Sequence, residues 1–286
     1  MNYRHHYHAG NFADVAKHAI LLALVDGMQR KDKGFLFLDT HAGRGAYDLE
    51  SAAHGDSLTR APEWPEGWGR VEHASDRPAL IENYVTAVHA FVRRAPDQAV
   101  KPYPGSPLLI ADRLREQDRA VFCELHDEEY AALAEAIPGP RNLRVESRDG
   151  YEAIRGCLPP LERRALVLID PPYENARESR DVAAALREGL RRLPAATFAV
   201  WYPITERVGV PEFLRDDPTL VLPATWTAEL TVAGPDAGLK MSGAGLMVIN
   251  PPWQLDQRVA PAMSWLGETL AQAPGGAGTL QWLVPE

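Results

Sequence analysis

The sequence predicts an α/β fold built on a mostly parallel sheet with helices on both faces. Short apolar runs alternate along the chain with amphipathic stretches, which is the pattern of a doubly wound sheet. The 286 residues suffice for one large domain, or for a domain with an insertion. No run approaches the roughly 18 apolar residues that a membrane-spanning helix needs, so we expect no membrane contact.

Five apolar runs are predicted to form buried strands, because near-continuous hydrophobicity is typical of parallel strands covered on both faces. These runs are residues 35–40, 120–125, 143–147, 165–170 and 197–204. Helices are predicted over residues 11–32, 106–118, 127–137 and 180–193. Ser106 is predicted to be the N-cap of the second helix, with Pro107 at its first position. The first helix is expected to turn a single apolar stripe towards the core.

The chain between the first strand and the helix at 106–118 is far longer than the few residues that a strand-to-helix connection needs. It contains a stretch rich in Pro, Gly and Trp (60–70) and a helix-like segment (78–95). We therefore predict a main domain, residues 1–49 and 101–286, interrupted by a small helical insertion at residues 50–100.

The net charge of −9 gives the protein no overall attraction to nucleic acid, although a local basic patch suffices for binding. Cys123 and Cys157 form no CxxC pair and no zinc-ligand spacing. Free buried thiols in a reducing compartment are the expected state. Because the N-terminus also lacks an apolar signal core, we expect a cytoplasmic protein.

The stretch FLFLDTHAGRGAYDL contains the first strand and a turn with features of a ligand-binding site. Asp39 ends the strand, and Gly43 and Gly45 come next in a tight turn where backbone can approach a ligand. This spacing is not the GxGxxG of dinucleotide sites, and a plain glycine turn is an equal alternative.

Acidic residues also end the second and third core strands. Glu124 is placed to accept hydrogen bonds from ribose hydroxyls, and Asp149, followed by Gly150, is placed to face an adenine amino group. Each alone is more often a turn residue. Carboxyl ends of parallel strands meet at one edge of a sheet, however, and ligands bind there.

The fourth strand ends in Asp170-Pro171-Pro172-Tyr173, which suits alkylation of an aromatic amine. The 6-amino nitrogen of adenine is a poor nucleophile, so acceptors must draw on its N–H bonds as it becomes tetrahedral. The Asp170 carboxylate and the Pro171 carbonyl are the predicted acceptors. Tyr173 offers a ring on which a flipped-out base can stack. The alternative is a structural turn in which tyrosine fills a gap.

A second copy of the pattern, Asn250-Pro-Pro-Trp253, comes directly after the last predicted core strand. Residues 233–244 link that strand to the one before it, and they are rich in Gly and Pro with no amphipathic helix. A parallel crossover normally needs a helix, whereas a hairpin needs only a loop. The last strand is therefore predicted to be antiparallel, which places Asn250 at the edge opposite Asp39 and Asp170.

The N-terminal stretch YRHHYHAGNFADVAKH is rich in cationic residues. A phosphate-binding cluster is predicted from Arg4, His5, His6, Lys17 and His18. A metal site built on His6, His8, His18 and His41 is the alternative, but no carboxylate has the matching spacing. We therefore predict no bound metal.

The segments YRHHYHAGNFADVAKH, FLDTHAGRG, YPGSP, LIDPPYE, WYP and INPPW…WLVPE closely resemble the bacterial RlmJ family. The resemblance runs from residue 3 to residue 286 and is weakest over the predicted insertion. It implies a class I S-adenosylmethionine-dependent methyltransferase fold, with a seven-stranded sheet whose last strand is antiparallel. It implies methylation of the 6-amino group of one adenine in 23S ribosomal RNA.

The resemblance also implies roles for individual residues of this chain. Asp170 would be the catalytic acceptor, and Tyr3 or Arg4 would lie near the RNA. The implied contacts to S-adenosylmethionine are His18, His41, Ser106, Glu124, Asp149, Gly150 and Asp170, to which the turn after the first strand adds Asp39 and Gly43. We expect a monomer that acts on free or early-assembly ribosomal RNA.

Other functions remain open at this point. Methylation of adenine in DNA or of glutamine in a protein uses similar Asp/Asn-Pro-Pro-Tyr sites. A metal-dependent hydrolase would use the histidines instead, and a non-enzymatic nucleotide- or RNA-binding module would bind the cofactor without turning it over.

Overall fold

A computed structural model of the protein describes residues 7–50, 61–95, 100–139, 142–175, 177–205, 214, 220–234, 237–239 and 241–286. In those ranges, no helix is both long and apolar enough to cross a bilayer. The strands are β1 (Leu36–Asp39), β2 (Ala46–Asp48), β3 (Pro102–Pro104), β4 (Arg119–Cys123), β5 (Leu143–Glu146), β6 (Ala165–Ile169), β7 (Thr197–Ile204), β8 (Thr225–Thr231), β9 (Gly243–Ile249) and β10 (Ala277–Val284). The helices are α1 (Phe12–Gln29), α2 (Trp68–His73), α3 (Ala79–Val92), α4 (Ser106–Ala111), α5 (Asp127–Ala136), α6 (Gly150–Cys157), α7 (Glu178–Arg192) and α8 (Asp256–Thr269), with a short 3₁₀ turn at Trp64–Glu66 before α2.

The main sheet has the strand order β10-β8-β9-β7-β6-β1-β4-β5. Strands β5, β4, β1, β6 and β7 are parallel, whereas β9 runs antiparallel to both β7 and β8. The predicted α/β fold is confirmed, and the five predicted strands are present with ends shifted by two residues at most. The prediction that all five are buried was wrong for β5, which has no buried residue because it lies at the edge of the sheet. The described sheet has eight strands rather than the predicted seven, because the C-terminal segment forms β10 beside β8.

The direction of the chain changes at β1. After β1 the chain builds β4 and β5 on one side of it, and then crosses to the other side to form β6. Connections that leave in opposite directions open a crevice at the carboxyl edge of the two neighbouring strands, here β1 and β6. Asp39 ends β1 there, and Asp170 comes directly after β6.

Helix α1 is buried on all sides rather than along the single apolar stripe that we predicted. Sixteen of its residues are buried, among them Asp14, Lys17 and His18. It contacts α3, α4 and α8 as well as strands β6 and β9. The helix begins after Asn11, whose side chain accepts hydrogen bonds from the N–H groups of Ala13 and Asp14. Polar residues on a helix covered in this way must find partners inside the protein.

The segment predicted as an insertion contains α2 and α3, in agreement with its expected helical character. Residues 51–60 and 96–99 of the segment lie outside the described residues. Helix α3 packs on α1. Strands β2 and β3, which come before and after the segment in the chain, pair with each other in antiparallel fashion. The division into a main domain and an insertion stays a prediction.

The prediction that Ser106 is an N-cap was wrong. Gly105 has the extended cap conformation, and Ser106 is the first residue of α4. The helix ends at Ala111, well before the predicted residue 118. Asp118, fully buried, instead closes a turn by accepting hydrogen bonds from the backbone N–H and the guanidinium of Arg115. This side-chain bonding to nearby backbone competes with the helix.

Candidate active site

The turn after β1 adopts the left-handed conformations that its glycines allow. Gly43 has φ +64° and Gly45 has φ +83°. The N–H of Gly43 donates to Oε2 of Glu124 at 2.8 Å, so the turn is held directly against the end of β4. The other oxygen of Glu124 accepts from the N–H of His126 at 2.8 Å. Gly43 and Glu124, both predicted to contact the cofactor, are therefore joined by a hydrogen bond.

Asp39 is completely buried between the turn and α4. Its Oδ2 accepts a hydrogen bond of 2.9 Å from the Ser106 hydroxyl, and its Oδ1 accepts one of 3.2 Å from the N–H of His41. Burial, followed by the negative charge of Asp170, raises the pKa of Asp39 to about 7, although the two hydrogen bonds oppose the shift. Burial therefore favours the protonated form of this carboxyl group far more than in an exposed aspartate.

His41 is neutral at neutral pH, because burial lowers the pKa of this imidazole to about 4. The Thr40 hydroxyl lies 3.0 Å from the carbonyl oxygen of Leu168 and 2.8 Å from Nδ1 of His41. A hydroxyl has a single proton, and the Leu168 carbonyl can only accept it. The Nδ1 atom of His41 therefore donates to Thr40, which leaves Nε2 as a hydrogen-bond acceptor. Its ring meets the Tyr151 ring edge to face at 5.1 Å.

Asp149 and Gly150 join the end of β5 to the start of α6. Oδ1 of Asp149 caps α6 by accepting from the N–H groups of Tyr151 and Glu152 at 2.7 and 3.1 Å. Its Oδ2 receives no hydrogen bond from the described residues, so this atom is available to a ligand. A Cβ on Gly150 would lie 1.9 Å from the carbonyl oxygen of Thr40, which explains why this position is glycine.

Asp170 is paired with a lysine from α1. The Lys17 ammonium lies 2.7 Å from Oδ2 of Asp170 and 3.0 Å from Oδ1 of Asp14. Burial alone would lower the pKa of Lys17, but the charges of Asp14 and Asp170 outweigh it and hold this pKa well above its ordinary value. Lys17 is only 6% exposed, so its ammonium is committed to the two carboxylates.

Tyr173 is held in a left-handed conformation, with φ +48°. Its hydroxyl donates to the carbonyl oxygen of Trp201 at 3.0 Å, and the two rings are 5.8 Å apart. The tyrosine ring is therefore anchored at its polar end. In the described part of the chain, no N–H or hydroxyl donates to the Pro171 carbonyl oxygen, which leaves this acceptor next to the Asp170 carboxylate.

The second Pro-Pro motif lies elsewhere, as predicted. Ile249, the last residue of β9, pairs with Phe198 near the start of β7, so Asn250 lies at the opposite edge from Asp170. The Asn250 amide donates to the carbonyl oxygens of Pro194 and Ala196 at 2.8 and 2.9 Å. Asn250 therefore holds the loop that precedes β7.

Of the N-terminal candidates, Lys17 and His18 lie within the described residues. Tyr3, Arg4, His5 and His6 lie outside the described residues, so their predicted RNA contacts stay predictions. The same holds for a phosphate contact by Lys17, although its two carboxylate partners place it in the interior. Over the described ranges, no three His, Cys, Asp or Glu side chains cluster as metal ligands. His8 faces Glu63, and His18 faces Tyr103, so these two histidines have different surroundings.

Sequence reasoning missed Asp14, Tyr103 and Tyr84. The signal for Asp14 was present, because its positions three before Lys17 and four before His18 put all three on one helix face. The two tyrosines come from β3 and α3, and no local spacing links them to His18. Only the tertiary fold brings these hydroxyls together.

Comparison with known proteins identifies the family of this chain. Residues 32–284 match the family described as ribosomal RNA large subunit methyltransferase D, RlmJ. The chain belongs to the RlmJ family. Two curated relatives, both named ribosomal RNA large subunit methyltransferase J, align over the full length of both chains. The protein of Escherichia coli K12 is 38% identical over 287 residues and that of Haemophilus influenzae is 36% identical.

A solved structure has the same fold. A protein from Legionella pneumophila is 31% identical, with a TM-score of 0.83 over 98% of this chain and 99% of the other. The fold is that of the class I methyltransferases, as predicted from the sequence. Membership of the RlmJ family makes this protein a ribosomal RNA methyltransferase.

Proposed function

We propose that this RlmJ-family protein uses S-adenosylmethionine to methylate the 6-amino group of an adenine in 23S ribosomal RNA. The observation that carries the proposal is the arrangement around Asp170. Its carboxylate comes directly after β6 at the crevice beside β1, next to an open carbonyl acceptor at Pro171 and the anchored ring of Tyr173. An exocyclic amine held there meets two acceptors and an aromatic surface.

The residues around the crevice suit S-adenosylmethionine. Oδ2 of Asp149 is free to accept from an adenine amino group, and Glu124 can accept further bonds from ribose hydroxyls beside its two backbone donors. Glycine in the two turns leaves the backbone without side chains at these points. Gly43 has φ +64°, and Gly150 packs directly against Thr40. His18, His41, Ser106 and Asp39 offer donors and acceptors for a zwitterionic amino acid group. Bound S-adenosylmethionine supplies an electrophilic methyl group on a sulfonium sulfur.

Catalysis by this chain then consists of positioning and electrostatics. Asp170 accepts one N–H of the amine and the Pro171 carbonyl accepts the other, which increases electron density on the nitrogen as it forms the bond to carbon. The Lys17 ammonium, 2.7 Å from Oδ2 of Asp170, balances the charge of this carboxylate and holds it in place. After transfer the nitrogen loses one proton to solvent. The Tyr173 ring stacks on the extruded base, and correct alignment provides most of the rate enhancement.

The experiment is transfer of tritiated methyl groups to ribosomal RNA from cells that lack the enzyme, followed by mapping of the modified nucleotide. The wild type should label one adenine at its 6-amino group, and Asp170→Ala should abolish labelling. Asn250→Ala is the matched control, because it alters the same motif at the other edge of the sheet. Full activity of Asp170→Ala would overturn the mechanism.

Parallel reactions with DNA and with protein test the other substrates. Methylation of DNA adenine or of a protein glutamine, with no labelling of RNA, would replace the proposed substrate. Cofactor binding without transfer to any of the three would indicate a binding module. Stoichiometric metal with hydrolytic activity would support the hydrolase alternative. The same RNA, presented free or as assembled particles, tests the predicted preference for free or early-assembly RNA in the cytoplasm, and sedimentation tests the predicted monomer.

A further inference from the structure

A chain of buried hydroxyl groups connects the helical segment 79–92 to the predicted cofactor contact His18. The hydroxyls of Tyr84 and Tyr103 are 2.6 Å apart, and the Tyr103 hydroxyl is 3.3 Å from Nδ1 of His18. Both tyrosines are fully buried and His18 is 2% exposed. Water therefore does not compete for these hydrogen bonds, and each proton in the chain must be assigned to a partner within it.

The assignment has one satisfactory solution. The described residues offer the Tyr84 hydroxyl no partner except Tyr103. If Tyr84 accepted, its own proton would be buried without an acceptor, at a cost comparable to a lost hydrogen bond. Tyr84 therefore donates to Tyr103, and Tyr103 donates to Nδ1 of His18. Burial raises the pKa of Tyr84 and of Tyr103 well above the ordinary value, so both stay protonated.

The direction of these hydrogen bonds determines which ring nitrogen of His18 has the proton. Because Nδ1 accepts from Tyr103, the proton of the neutral ring is on Nε2, the nitrogen that lies 3.9 Å from Oδ1 of Asp14. His41 has the opposite arrangement, since its Nδ1 donates to Thr40 and its Nε2 is an acceptor. Two histidines predicted to contact the cofactor thus present one donor and one acceptor. A zwitterionic amino acid has a carboxylate that needs donors and an ammonium group that needs acceptors.

We propose that Tyr103 and Tyr84 are positioning residues that hold His18 in its Nε2–H form, as a donor to the carboxylate at the amino acid end of the cofactor. The proposal deepens the proposed function and rests on it for the identity of the cofactor. Trp68 supports the arrangement from α2, because its ring packs edge to face on Tyr84 at 5.7 Å and lies 6.1 Å from Tyr103. Helices α2 and α3 thereby support the position of His18 through ring packing and hydrogen bonds.

The first test uses the protein without cofactor. Long-range ¹H–¹⁵N correlation spectra at pH 8 report which imidazole nitrogen has the proton, and a His18→Gln sample identifies the signal among the nine histidines. The wild type should show His18 protonated on Nε2, and Tyr103→Phe should give a mixture of tautomers. An Nδ1–H tautomer in the wild type would overturn the proposal. This readout does not depend on methyl transfer, so it stands even if the proposed substrate is wrong.

The second test is calorimetric binding of S-adenosylmethionine and of S-adenosylhomocysteine. Tyr103→Phe should weaken binding about three- to tenfold, the loss expected for one hydrogen bond, while kcat at saturating cofactor stays within about twofold. Tyr84→Phe should have a smaller effect of the same kind, and it provides a second variant if Tyr103→Phe is poorly folded. Tyr130→Phe, on α5, is the matched control, because no hydrogen bond of its hydroxyl is present in the described structure.

A double-mutant comparison separates positioning from general stability. In a His18→Ala background, Tyr103→Phe should cause no further loss of cofactor affinity, because the tyrosine acts through the histidine. Equal losses in the two backgrounds would show that Tyr103 acts independently of His18 and would contradict the proposal. Unchanged affinity in Tyr103→Phe would contradict it as well. If the wild type bound neither ligand while the tautomer results held, the cofactor assignment rather than the hydrogen-bond chain would be wrong.

Discussion

The ammonium group of Lys17 lies 2.7 Å from the Asp170 carboxylate, and side-chain exposure is 6% and 15%. One partner is on α1, before the first strand, and the other comes directly after the fourth core strand of the fold. An unpaired carboxylate is costly in such a setting, and a lysine within hydrogen-bond distance offsets that cost. Helix α1 therefore provides the counter-ion for Asp170, the proposed catalytic acceptor.

Lys17→Met should lower kcat. The Lys17 ammonium lies 2.7 Å from Oδ2 of Asp170 and 3.0 Å from Oδ1 of Asp14, so methionine leaves two carboxylates without their cation. A hydrogen bond to a charged group contributes about 1.5 to 3 kcal/mol, so we expect kcat to fall about tenfold or more. Rates of methyl transfer at saturating cofactor, with urea unfolding to verify the fold, measure this loss. Lys33→Met, an exposed surface substitution, should leave kcat unchanged. A wild-type kcat in a folded Lys17→Met variant would show that Asp170 does not depend on this lysine.

Asp39→Asn should change how stability depends on pH. The pKa of Asp39 is raised to about 7 in the folded protein, against about 4 in the unfolded chain. The folded state binds this proton more tightly, so the wild type loses stability as the pH rises from about 4 to about 7, and the contribution is constant above that. Asparagine cannot ionise.

The stability of Asp39→Asn relative to wild type should therefore increase by about 2 to 3 kcal/mol between pH 5 and pH 8. Urea unfolding of both proteins at several pH values gives this difference. His41 titrates in the same range with the opposite sign, but it contributes equally to both proteins and cancels. A difference independent of pH would mean that Asp39 is ionised throughout.

The positions of Asp39, Glu124, Asp149 and Asp170 could be predicted because each lies at or just after the end of a parallel strand, and parallel strands bring their carboxyl ends to one edge. The antiparallel β9 could be predicted because the segment before it, residues 233–244, has no amphipathic helix to serve as a parallel crossover. In contrast, the pairing of Lys17 with Asp170 depends on how α1 lies across the sheet, and periodicity does not determine this. The Tyr84–Tyr103–His18 chain depends on three elements at once, so it could not be read from any one of them.

Gly150→Ala should destabilise the protein and weaken cofactor binding together. The added Cβ would lie 1.9 Å from the Thr40 carbonyl oxygen, so α6 and the turn after β1 must move apart. Overpacking of this kind costs about 1 to 3 kcal/mol, and here it displaces Asp149 and His41 as well. Urea unfolding and calorimetric titration measure the two effects. Gly139→Ala, whose Cβ would come no closer than 3.4 Å to other atoms of the described residues, is the control and should change neither.

Asn250→Ala should reduce stability without reducing catalysis. The Asn250 amide donates to two carbonyl oxygens of the loop before β7, and its backbone has φ +49°, which asparagine tolerates better than alanine. Loss of these bonds should cost about 1 to 3 kcal/mol in urea unfolding.

Asn250→Gly separates the two causes, because glycine accepts this backbone conformation but lacks the amide. It should be destabilised less than Asn250→Ala. Methyl transfer by both variants, measured well below their unfolding transitions, should stay within about twofold of wild type, since Asn250 lies at the opposite edge of the sheet from Asp170. A large loss of kcat in a folded Asn250 variant would mean that the second Pro-Pro motif acts in catalysis despite its position.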